Sequence, residues 1–551
     1  MLKDFDISTI IDFESARKFI RKLLNLIEKY HQEIRELKRL NQQLRDENHR
    51  LKGEQGKPRI KPSTKAGGKK NFSSEEERKR RKKRNKKAKK DRIKTHNSQV
   101  CKVDPAVLPE DARFKGYQPV VVQDVIFKAH NTLFLKEKYY SPSLNKTYLA
   151  PLPPGYDGEF GPGIKALVPK LYYDSNITEG KIFNLLQDAD VHISAGKISN
   201  LLIKNHETFH AEKNALYEAG LNSTPWQNID DTSTRVNGQN QFCHILCNPF
   251  YTAYFTSPRK DRLTVLDVLK NFAPRTFVLN EEAFGYIDIF KLPKAVVQQL
   301  RTLPLDQTFN EPDFLNLLDR RLPQLGPQQR SHILDAAAIA AYNATMELPI
   351  VKVLLCDNAP QFKLITQQLS LCWVHDGRHY KKLDPFISHH RKLLEAFLKT
   401  YWDYYRQLLE YRQAPSDSER IRLDSLFDEI FSSTTGYEDL DHRIAKTKAK
   451  KQFLLLVLDH PELPLHNNDA ELSARGRVRK RVVSFGTRVP DGTKAWDTFT
   501  SLSATTRKLG INFFDYLYDR ITGTGQIPNL ADIITQRAAA MNLGASWGQG
   551  P

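Results

Sequence analysis

The chain has 551 residues, which is too long for one compact core, so we expect several domains. Its 84 Lys and Arg outnumber its 64 Asp and Glu, and the net charge of +20 favours a polyanionic partner and argues against an acidic or neutral housekeeping enzyme. Five cysteines without a CxxC pair exclude a disulfide scaffold and a Cys-rich zinc finger. Because the sequence has no long apolar run and starts without a signal-peptide pattern, we expect a cytoplasmic protein without membrane contact.

Residues 1–56 have the heptad pattern of a coiled-coil dimerisation segment. Position a holds Phe13, Ile20, Ile27, Ile34, Asn41 and Asn48, and position d holds Ala16, Leu23, Tyr30, Leu37, Leu44 and Leu51. Asparagine at two a positions favours a parallel, in-register dimer. The alternative is one amphipathic helix that packs against its own protein.

The positive charge is concentrated after this helix. Residues 57–94 contain 19 Lys and Arg against four acids, and few apolar side chains. We therefore predict a basic disordered arm over residues 57–97 that lies along DNA phosphates. The candidate contacts in the arm are Arg78, Arg80, Arg81, Lys82, Lys83 and Arg84. A solvated linker is the alternative.

A small β module is predicted after the arm, in residues 98–150. Alternating apolar positions from Pro119 to Tyr140 indicate a β-hairpin. The Pro/Gly-rich residues 151–163 then mark a domain boundary.

A helix-turn-helix domain is predicted over residues 151–220. Thr178 and Ser194 are expected to cap two short amphipathic helices joined by four residues. Lys197, in the second helix, is a candidate DNA contact. A helix hairpin that does not bind DNA is the alternative.

The next segment begins with two acids, Asp230 and Asp231, and continues with two β-rich runs, Phe242–Cys247 and Tyr251–Thr256. An acid on a first strand, followed by two antiparallel strands, is the opening of a ribonuclease-H-like sheet. Asp230 is therefore a candidate catalytic carboxylate.

A second acid, Asp357, follows the buried strand predicted at Val351–Leu355. Ligand sites in open α/β sheets collect at the carboxyl ends of strands. Another strand is predicted at Leu369–Val374, and His375 and Arg378 after it are expected beside the same edge, where they can touch a phosphate or a base.

The third acid, Glu471, is expected in the first turn of a helix capped by Asn468 or Asp469. The same helix then presents Arg475, Arg477, Arg479 and Lys480 as candidate phosphate contacts. Arg475 is also at the spacing that pairs with Glu471. A solvated basic helix face is the alternative.

Three carboxylates from two strand ends and one helix suit a pair of magnesium ions. Phosphodiester cleavage and strand transfer use two divalent ions about 4 Å apart, one at the attacking oxygen and one at the leaving oxygen. Mg²⁺ prefers carboxylate oxygens and water. The alternative is chance selection among 64 acids, because aspartate after a strand is often a turn residue.

Four segments of the chain resemble transposases of the insertion sequence 66 family (TnpC-type), which are DDE transposases. Residues 229–232 resemble its A-D-E-T segment, and residues 371–383 resemble its C-W-x-H-x-R-R-x-F segment. Residues 463–481 resemble its V-P-x-x-N-N-x-A-E-R-x-x-R segment, with Glu471 at the third acid. Residues 161–202 resemble the stretch that carries its helix-turn-helix. The likeness runs from about residue 10 to 520.

The resemblance implies an α/β fold with a ribonuclease-H-like catalytic core at residues 221–525, helical insertions at about 264–345 and 384–460, and a C-terminal tail at 526–551. It implies Mg²⁺, for which Mn²⁺ can substitute, on Asp230, Asp357 and Glu471. The implied activity is cleavage and joining of DNA at the terminal inverted repeats of a mobile element. A nucleoid-associated homodimer or higher oligomer is expected, with element ends, target DNA and accessory proteins of the element as partners.

The chain also departs from the family pattern. The family usually has a Cys-rich zinc module before the helix-turn-helix, whereas this chain has only Cys101 there, so we expect a divergent member without structural zinc. Leu472 replaces the arginine that follows the third acid, and Asp231 replaces a glutamate. These departures support two alternatives, an inactive DNA-binding descendant and a related nuclease.

Overall fold

The computed structural model describes residues 12–52, 95–109, 112–345 and 349–548. Helices surround one mixed β-sheet, which confirms the α/β class. The predicted arm contacts Arg78, Arg80, Arg81, Lys82, Lys83 and Arg84 lie outside the described residues. No helix in the described ranges is long and apolar enough to cross a bilayer.

The N-terminal helix α1 spans Phe13–Leu51 and packs one polar face on the rest of the chain. The Glu28 carboxylate is 1% exposed and accepts hydrogen bonds from the backbone amides of Phe386 (2.6 Å) and Ile387 (3.0 Å). Its other contact is His390 Nδ1, at 3.3 Å. This carboxylate therefore caps the start of the long helix that follows Ile387, and α1 is fixed on the body of the protein.

The heptad positions of α1 lie away from that contact. The exposed apolar side chains at positions a and d are Phe13, Ile20, Ile27, Tyr30, Ile34, Leu37, Leu44 and Leu51. One face of α1 thus packs on its own protein, as in the alternative considered for the sequence, while the predicted dimer seam remains open. The structure contains one chain, so the dimer stays a prediction.

The predicted hairpin from Pro119 to Tyr140 is wrong in position. Residues 112–137 have no regular secondary structure, and the observed hairpin consists of β1 (Lys138–Ser141) and β2 (Lys146–Leu149). Asn145, with a φ of +46°, provides the left-handed backbone that the turn needs. Alternation alone did not make a strand at 119–137, because no element covers the apolar side of that segment.

Four helices follow where the helix-turn-helix domain was predicted: α2 (Pro162–Pro169), α3 (Glu179–Asp188), α4 (Ala195–Ile203) and α5 (Glu207–Asn222). Ser194 caps α4 as predicted, since its Oγ accepts a hydrogen bond of 3.1 Å from the Lys197 amide. Thr178 is at the cap position of α3, but its side chain makes no capping hydrogen bond, which corrects that detail. The buried faces of α3 and α4 pack together.

The later strands are β3 (Trp226–Val236), β4 (Gln239–Cys247), β5 (Thr252–Ser257), β6 (Thr276–Val278), β7 (Thr308–Asn310), β8 (Val353–Cys356) and β9 (Gln368–Leu371). The later helices are α6 (Arg262–Leu269), α7 (Glu281–Ile289), α8 (Lys294–Leu300), α9 (Glu311–Arg321), α10 (Pro327–Ala344), α11 (Trp373–Lys381), α12 (Ser388–Gln413), α13 (Asp417–Phe431), α14 (Glu438–Lys448), α15 (Lys451–Leu454), α16 (Asn468–Ser484), α17 (Pro490–Lys508), α18 (Phe513–Thr522) and α19 (Leu530–Met541).

The central sheet has the order β5-β4-β3-β8-β9. Strands β3, β4 and β5 are antiparallel neighbours, β8 is parallel to β3, and β9 is parallel to β8. The strand predicted at Leu369–Val374 ends at Leu371, because Trp373 already begins α11. Trp373 is fully buried, as expected for a core residue.

Helix α17 covers the open edge of the sheet at β5. Asp497, Ser501 and Thr505, spaced by four residues on one helix face, accept hydrogen bonds from the backbone amides of Thr256 (2.6 Å), Tyr254 (2.9 Å) and Thr252 (3.1 Å), respectively. Four helical residues rise about 6 Å, and two strand residues rise about 6.6 Å, so the two spacings match. The unpaired backbone of an edge strand can pair with another chain and cause aggregation. Here the three side chains of α17 occupy the free amides of β5.

Two predicted regions need correction. The segment between β5 and β8 contains α6 to α10, but also the β6–β7 ladder, so the insertion is not purely helical. The predicted C-terminal tail contains α19, whose Leu530 and Ile534 are fully buried, because apolar residues at this spacing give the helix a face that packs on α5. The second insertion, predicted at about 384–460, contains α12 to α15 and is helical as predicted.

Candidate active site

The pairing of β3 with β8 brings two predicted acids together. Trp226 pairs with Val353 and Asn228 with Leu355 in a parallel register. Continuing that register by two residues places Asp230 opposite Asp357. Neighbouring strands lie about 4.8 Å apart, so the two carboxylates share one small region at the carboxyl end of β8.

Asp230 is in an unfavourable environment for a negative charge. Burial raises its pKa most, and the nearby carboxylates of Asp357, Asp231 and Glu471 raise it further, to about 7. The hydrogen bond of 2.8 Å from the Asp231 amide to Asp230 Oδ1 acts in the opposite direction. The three predicted acids are therefore close enough to interact, and Asp230 lacks a counter-ion among the described side chains.

Glu471 lies in the first turn of α16, as predicted, but the cap residue is Asn467, not Asn468 or Asp469. The Asn467 side chain faces inward. Its Nδ2 donates to the Ile229 carbonyl (2.7 Å), and its Oδ1 accepts from Asn228 Nδ2 (3.0 Å). These bonds attach the start of the Glu471 helix to β3, next to Asp230.

Arg378 holds the Glu471 carboxylate. Its Nη1 donates to both oxygens of Glu471, at 3.0 and 2.9 Å. Arg475 also lies near, at 3.8 Å, which agrees with the predicted pair one turn apart. Glu471 is 14% exposed and Arg378 is 37% exposed, so this ion pair lies at the boundary between the site and solvent.

His375 and Cys372 complete the wall of the site. Burial lowers the pKa of His375, while the charges of Asp357 and Glu471 act in the opposite direction, so the ring lies near both acids. The Cys372 sulfur accepts hydrogen bonds of 3.3 Å from the backbone amides of His375 and Asn467. This thiol joins the first turns of α11 and α16. Cys372 is buried.

Asn228, Asn467 and Cys372 were not predicted from the sequence as parts of the site. Asn467 directly precedes Asn468 and Asp469, the two residues that were predicted as the helix cap. Three apolar residues, Leu463, Leu465 and Ala470, surround that pair and are buried, which is a pattern in the sequence that indicates an inward position.

The donor set suits a hard divalent cation. Among the described residues, no three His, Cys, Asp or Glu side chains already form a metal-binding group, and Glu471 is paired with Arg378 instead. Carboxylate oxygens are nevertheless the ligands that Mg²⁺ prefers. A cation between Asp230 and Asp357 would relieve the repulsion that raises the pKa of Asp230.

Two predicted DNA contacts on α16 are wrong for the folded chain. Arg477 is 2% exposed, and its Nη2 binds Asp497 and Thr256, both at 2.9 Å. Lys480 is 1% exposed, and its Nζ donates to the Tyr172 carbonyl at 2.5 Å. Both side chains therefore join α16 to neighbouring elements.

The remaining predicted contacts have different exposures. Arg475 and Arg479 on α16 are exposed, and so they remain available to phosphate. Lys197 is half-buried, with its Nζ 5.8 Å from the centre of the Phe160 ring. Arg378 faces the acids.

Comparison with known sequences places the chain in a family. It is 33% identical over 324 residues to the uncharacterized protein y4jO of Sinorhizobium fredii (strain NBRC 101917 / NGR234). The match covers 59% of this chain and the whole of that protein. The chain belongs to the family of y4jO. No protein-family model matches the sequence.

Proposed function

We propose that the protein is a metal-dependent DNA transposase of the DDE type, with a ribonuclease-H-like core that carries Asp230, Asp357 and Glu471. The observation that carries this proposal is the β3–β8 register, which is paired as far as Asn228 and Leu355 and, continued by two residues, sets Asp230 opposite Asp357. The sheet order and the resemblance to insertion sequence 66 transposases support it. Duplex DNA at the ends of a mobile element is the proposed substrate.

In this proposal, Asp230, Asp357 and Glu471 hold Mg²⁺ or Mn²⁺. Bound cations of this kind activate the attacking hydroxyl and stabilise the leaving oxygen. The neighbouring residues then have distinct roles. Asn467 fixes the distance between Glu471 and β3, and Arg378 keeps Glu471 paired until DNA arrives.

The bond changes are those of phosphoryl transfer. In cleavage, a water oxygen attacks the phosphorus, and the 3′ oxygen of the element end leaves as a hydroxyl. In joining, that 3′-hydroxyl attacks a phosphodiester of the target, and a target 3′-hydroxyl leaves. Arg475 and Arg479, exposed on α16, provide positive charge for the phosphates of the DNA near Glu471.

An inactive DNA-binding descendant is the second candidate, and one observation favours it. Glu471 forms two hydrogen bonds with Arg378, which satisfies the charge of the third acid without a metal. A related nuclease that cuts but does not join DNA would use the same acids and differ in its products.

The test is cleavage and joining of a labelled duplex that carries the terminal repeat flanking the gene, with Mg²⁺ or Mn²⁺. We expect specific cuts and strand-transfer products from the wild type, and neither from Asp230→Asn, Asp357→Asn or Glu471→Gln. Asp319→Asn is the matched control. Asp319 is an exposed acid on α9 that pairs with Arg330 of α10, so this variant should retain activity. Salt-sensitive binding without cleavage would favour the descendant, and cuts without joining would favour the nuclease.

A further inference from the structure

An exposed aromatic ring follows the helix that carries Glu471. Phe485 comes directly after α16, and 82% of the residue is exposed. Its φ is +60°, a strained backbone region that bulky residues rarely occupy. Val482 and Val483, just before it, are also exposed. An apolar ring exposed to solvent on a strained backbone does not stabilise the fold, so this ring is a candidate for binding a partner.

The backbone around Phe485 is fixed on both sides. The Phe485 amide donates to the Arg481 carbonyl at 2.7 Å. Gly486 lies so close to β3 that a Cβ there would overlap the Arg235 carbonyl oxygen. Thr487 then pairs with β3, donating to the Arg235 carbonyl at 3.1 Å and accepting from the Asn237 amide at 2.8 Å. The ring is therefore presented by an anchored loop.

The helix before the ring and the loop after it carry exposed arginines. Arg475, Arg479 and Arg488 are exposed, and none of the ion pairs within the described ranges involves Arg479 or Arg488. Arginine and phenylalanine are also enriched at protein–protein interfaces, so the position of the ring at the end of the helix that carries Glu471 is what favours DNA as the partner. Arginine beside an exposed aromatic ring is the combination that binds nucleic acid, through phosphates and stacked bases.

The length of α16 sets the distance from the acids. Glu471 and Phe485 are 14 positions apart in the sequence, which corresponds to about 21 Å along a helix. DNA rises 3.4 Å per base pair, so this distance spans roughly six base pairs.

We propose that Phe485 stacks on, or inserts beside, a nucleobase roughly six base pairs from the scissile phosphate, in DNA that lies along α16. This inference rests on the proposed function, and it assigns a base contact to a residue outside the acid cluster. Arg475 and Arg479 hold the phosphates between the cut and the stacked base. Because the loop is already anchored, no conformational entropy is lost in ordering it when DNA binds.

The experiment uses the full chain and terminal-repeat duplexes with one 2-aminopurine at successive positions between the cut and about ten base pairs from it. Unstacking of that base raises its fluorescence. We expect a rise of several-fold at roughly the sixth position for the wild type and Phe485→Trp. Phe485→Ala should lose the rise and bind roughly tenfold more weakly, because one base stack is lost. The fluorescence readout distinguishes stacking from a purely structural role.

The matched control is Phe272→Ala. Phe272 also has a positive φ of +59° and is 48% exposed, so its replacement removes an exposed ring from a similar backbone elsewhere. It should leave fluorescence and affinity unchanged. Equal fluorescence and affinity for Phe485→Ala and the wild type, with cleavage intact, would overturn this inference alone. Dissociation of a dimer by Phe485→Ala would assign the ring to a second copy. A wild type that binds no DNA would overturn both this inference and the proposed function.

Discussion

The side-chain amide of Asn467 donates a hydrogen bond of 2.7 Å to the backbone carbonyl of Ile229, the residue before Asp230. One asparagine thus connects the helix of the third acid to the strand of the first. Asn467 is 1% exposed, and the amide of Asn228 occupies its oxygen. The relative position of Asp230 and Glu471 therefore depends on a buried amide pair and not on the acids themselves.

Asn467→Ala should weaken Mn²⁺ binding by about 10- to 100-fold, because residues that orient metal ligands contribute at this level. It should also destabilise the fold by roughly 1–3 kcal/mol, since the Ile229 carbonyl and Asn228 lose a buried partner. Calorimetric titration with Mn²⁺ and thermal unfolding measure the two effects.

Asn248→Ala is the control for the Asn467 variant. Asn248 is fully buried and donates to the Gly220 carbonyl (3.0 Å) and to Ser223 Oγ (2.8 Å), so its loss should destabilise the fold similarly. Its Mn²⁺ affinity should match the wild type. If both variants lose Mn²⁺ affinity equally, Asn467 has only a structural role.

Arg378 competes with a cation for Glu471 in the protein without DNA. Arg378→Ala removes the donor of both hydrogen bonds to Glu471, so Mn²⁺ should bind several-fold more tightly. Lys382→Ala removes an exposed positive charge one turn later without releasing Glu471, and should change the affinity little. Calorimetric titration measures the Mn²⁺ affinity of both variants. Weaker Mn²⁺ binding by Arg378→Ala would show that Arg378 supports the metal site and does not compete with the cation.

Stability without metal should depend on pH through Asp230. Its pKa of about 7 in the folded chain exceeds the ordinary 3.8, so the folded state binds more protons between these values. The folded state therefore loses stability as the pH rises from about 4 to 7, by at most about 4 kcal/mol. Asp230→Asn, which cannot ionise, should become more stable relative to the wild type over this range.

Urea unfolding in chelator at pH 5 and pH 8 measures this difference. The matched variant is Asp231→Asn, on the next residue of β3, because Asp231 accepts hydrogen bonds from Gln361 (2.6 Å) and Lys260 (3.4 Å). Because the Asp231 charge is one of the three that raise the pKa of Asp230, the stability of Asp231→Asn relative to the wild type should rise with pH by less than that of Asp230→Asn. Equal pH dependence in Asp230→Asn and the wild type would mean that Asp230 ionises normally in the folded chain.

The places of two candidate acids relative to the secondary structure were predictable from the sequence, because each follows a local pattern. Asp357 follows a buried strand, and Glu471 falls in the first turn of a helix. The distance between Asp230 and Asp357 was not predictable, because it depends on a strand pairing across 127 residues, and no local pattern fixes such a register.

For two basic residues of α16, the local sequence pattern gave the wrong prediction. Arg477 and Lys480 were predicted to contact phosphates because they follow Glu471 on the same helix. Arg477 instead pairs with Asp497, a residue of the next helix, and lies with its guanidinium 3.9 Å from the centre of the Trp496 ring. Burial of this arginine depends on tertiary contacts that α16 does not encode by itself.

The open seam of α1 makes a prediction about self-association. In a parallel coiled coil, position g of one chain faces the following position e of the other, which pairs Glu33 with Lys38 and Glu47 with Lys52 of the second copy. The face bound to the body includes Glu28, at position b, so a second copy does not displace that contact. We expect a dimer in which each α1 stays docked on its own body.

The paired substitution of Ile27→Asp and Ile34→Asp places charge in this seam, where both residues are about half exposed in the single chain. It should convert the dimer to a monomer in light scattering and leave the thermal unfolding midpoint of the body within a few degrees. Lys29→Asp, an exposed residue outside the seam, is the control and should remain dimeric. An unchanged oligomeric state in the Ile27 and Ile34 variant would show that this apolar face is not a dimer seam and that α1 packs only on its own chain, through Glu28 and its neighbours Asn25 and Gln32.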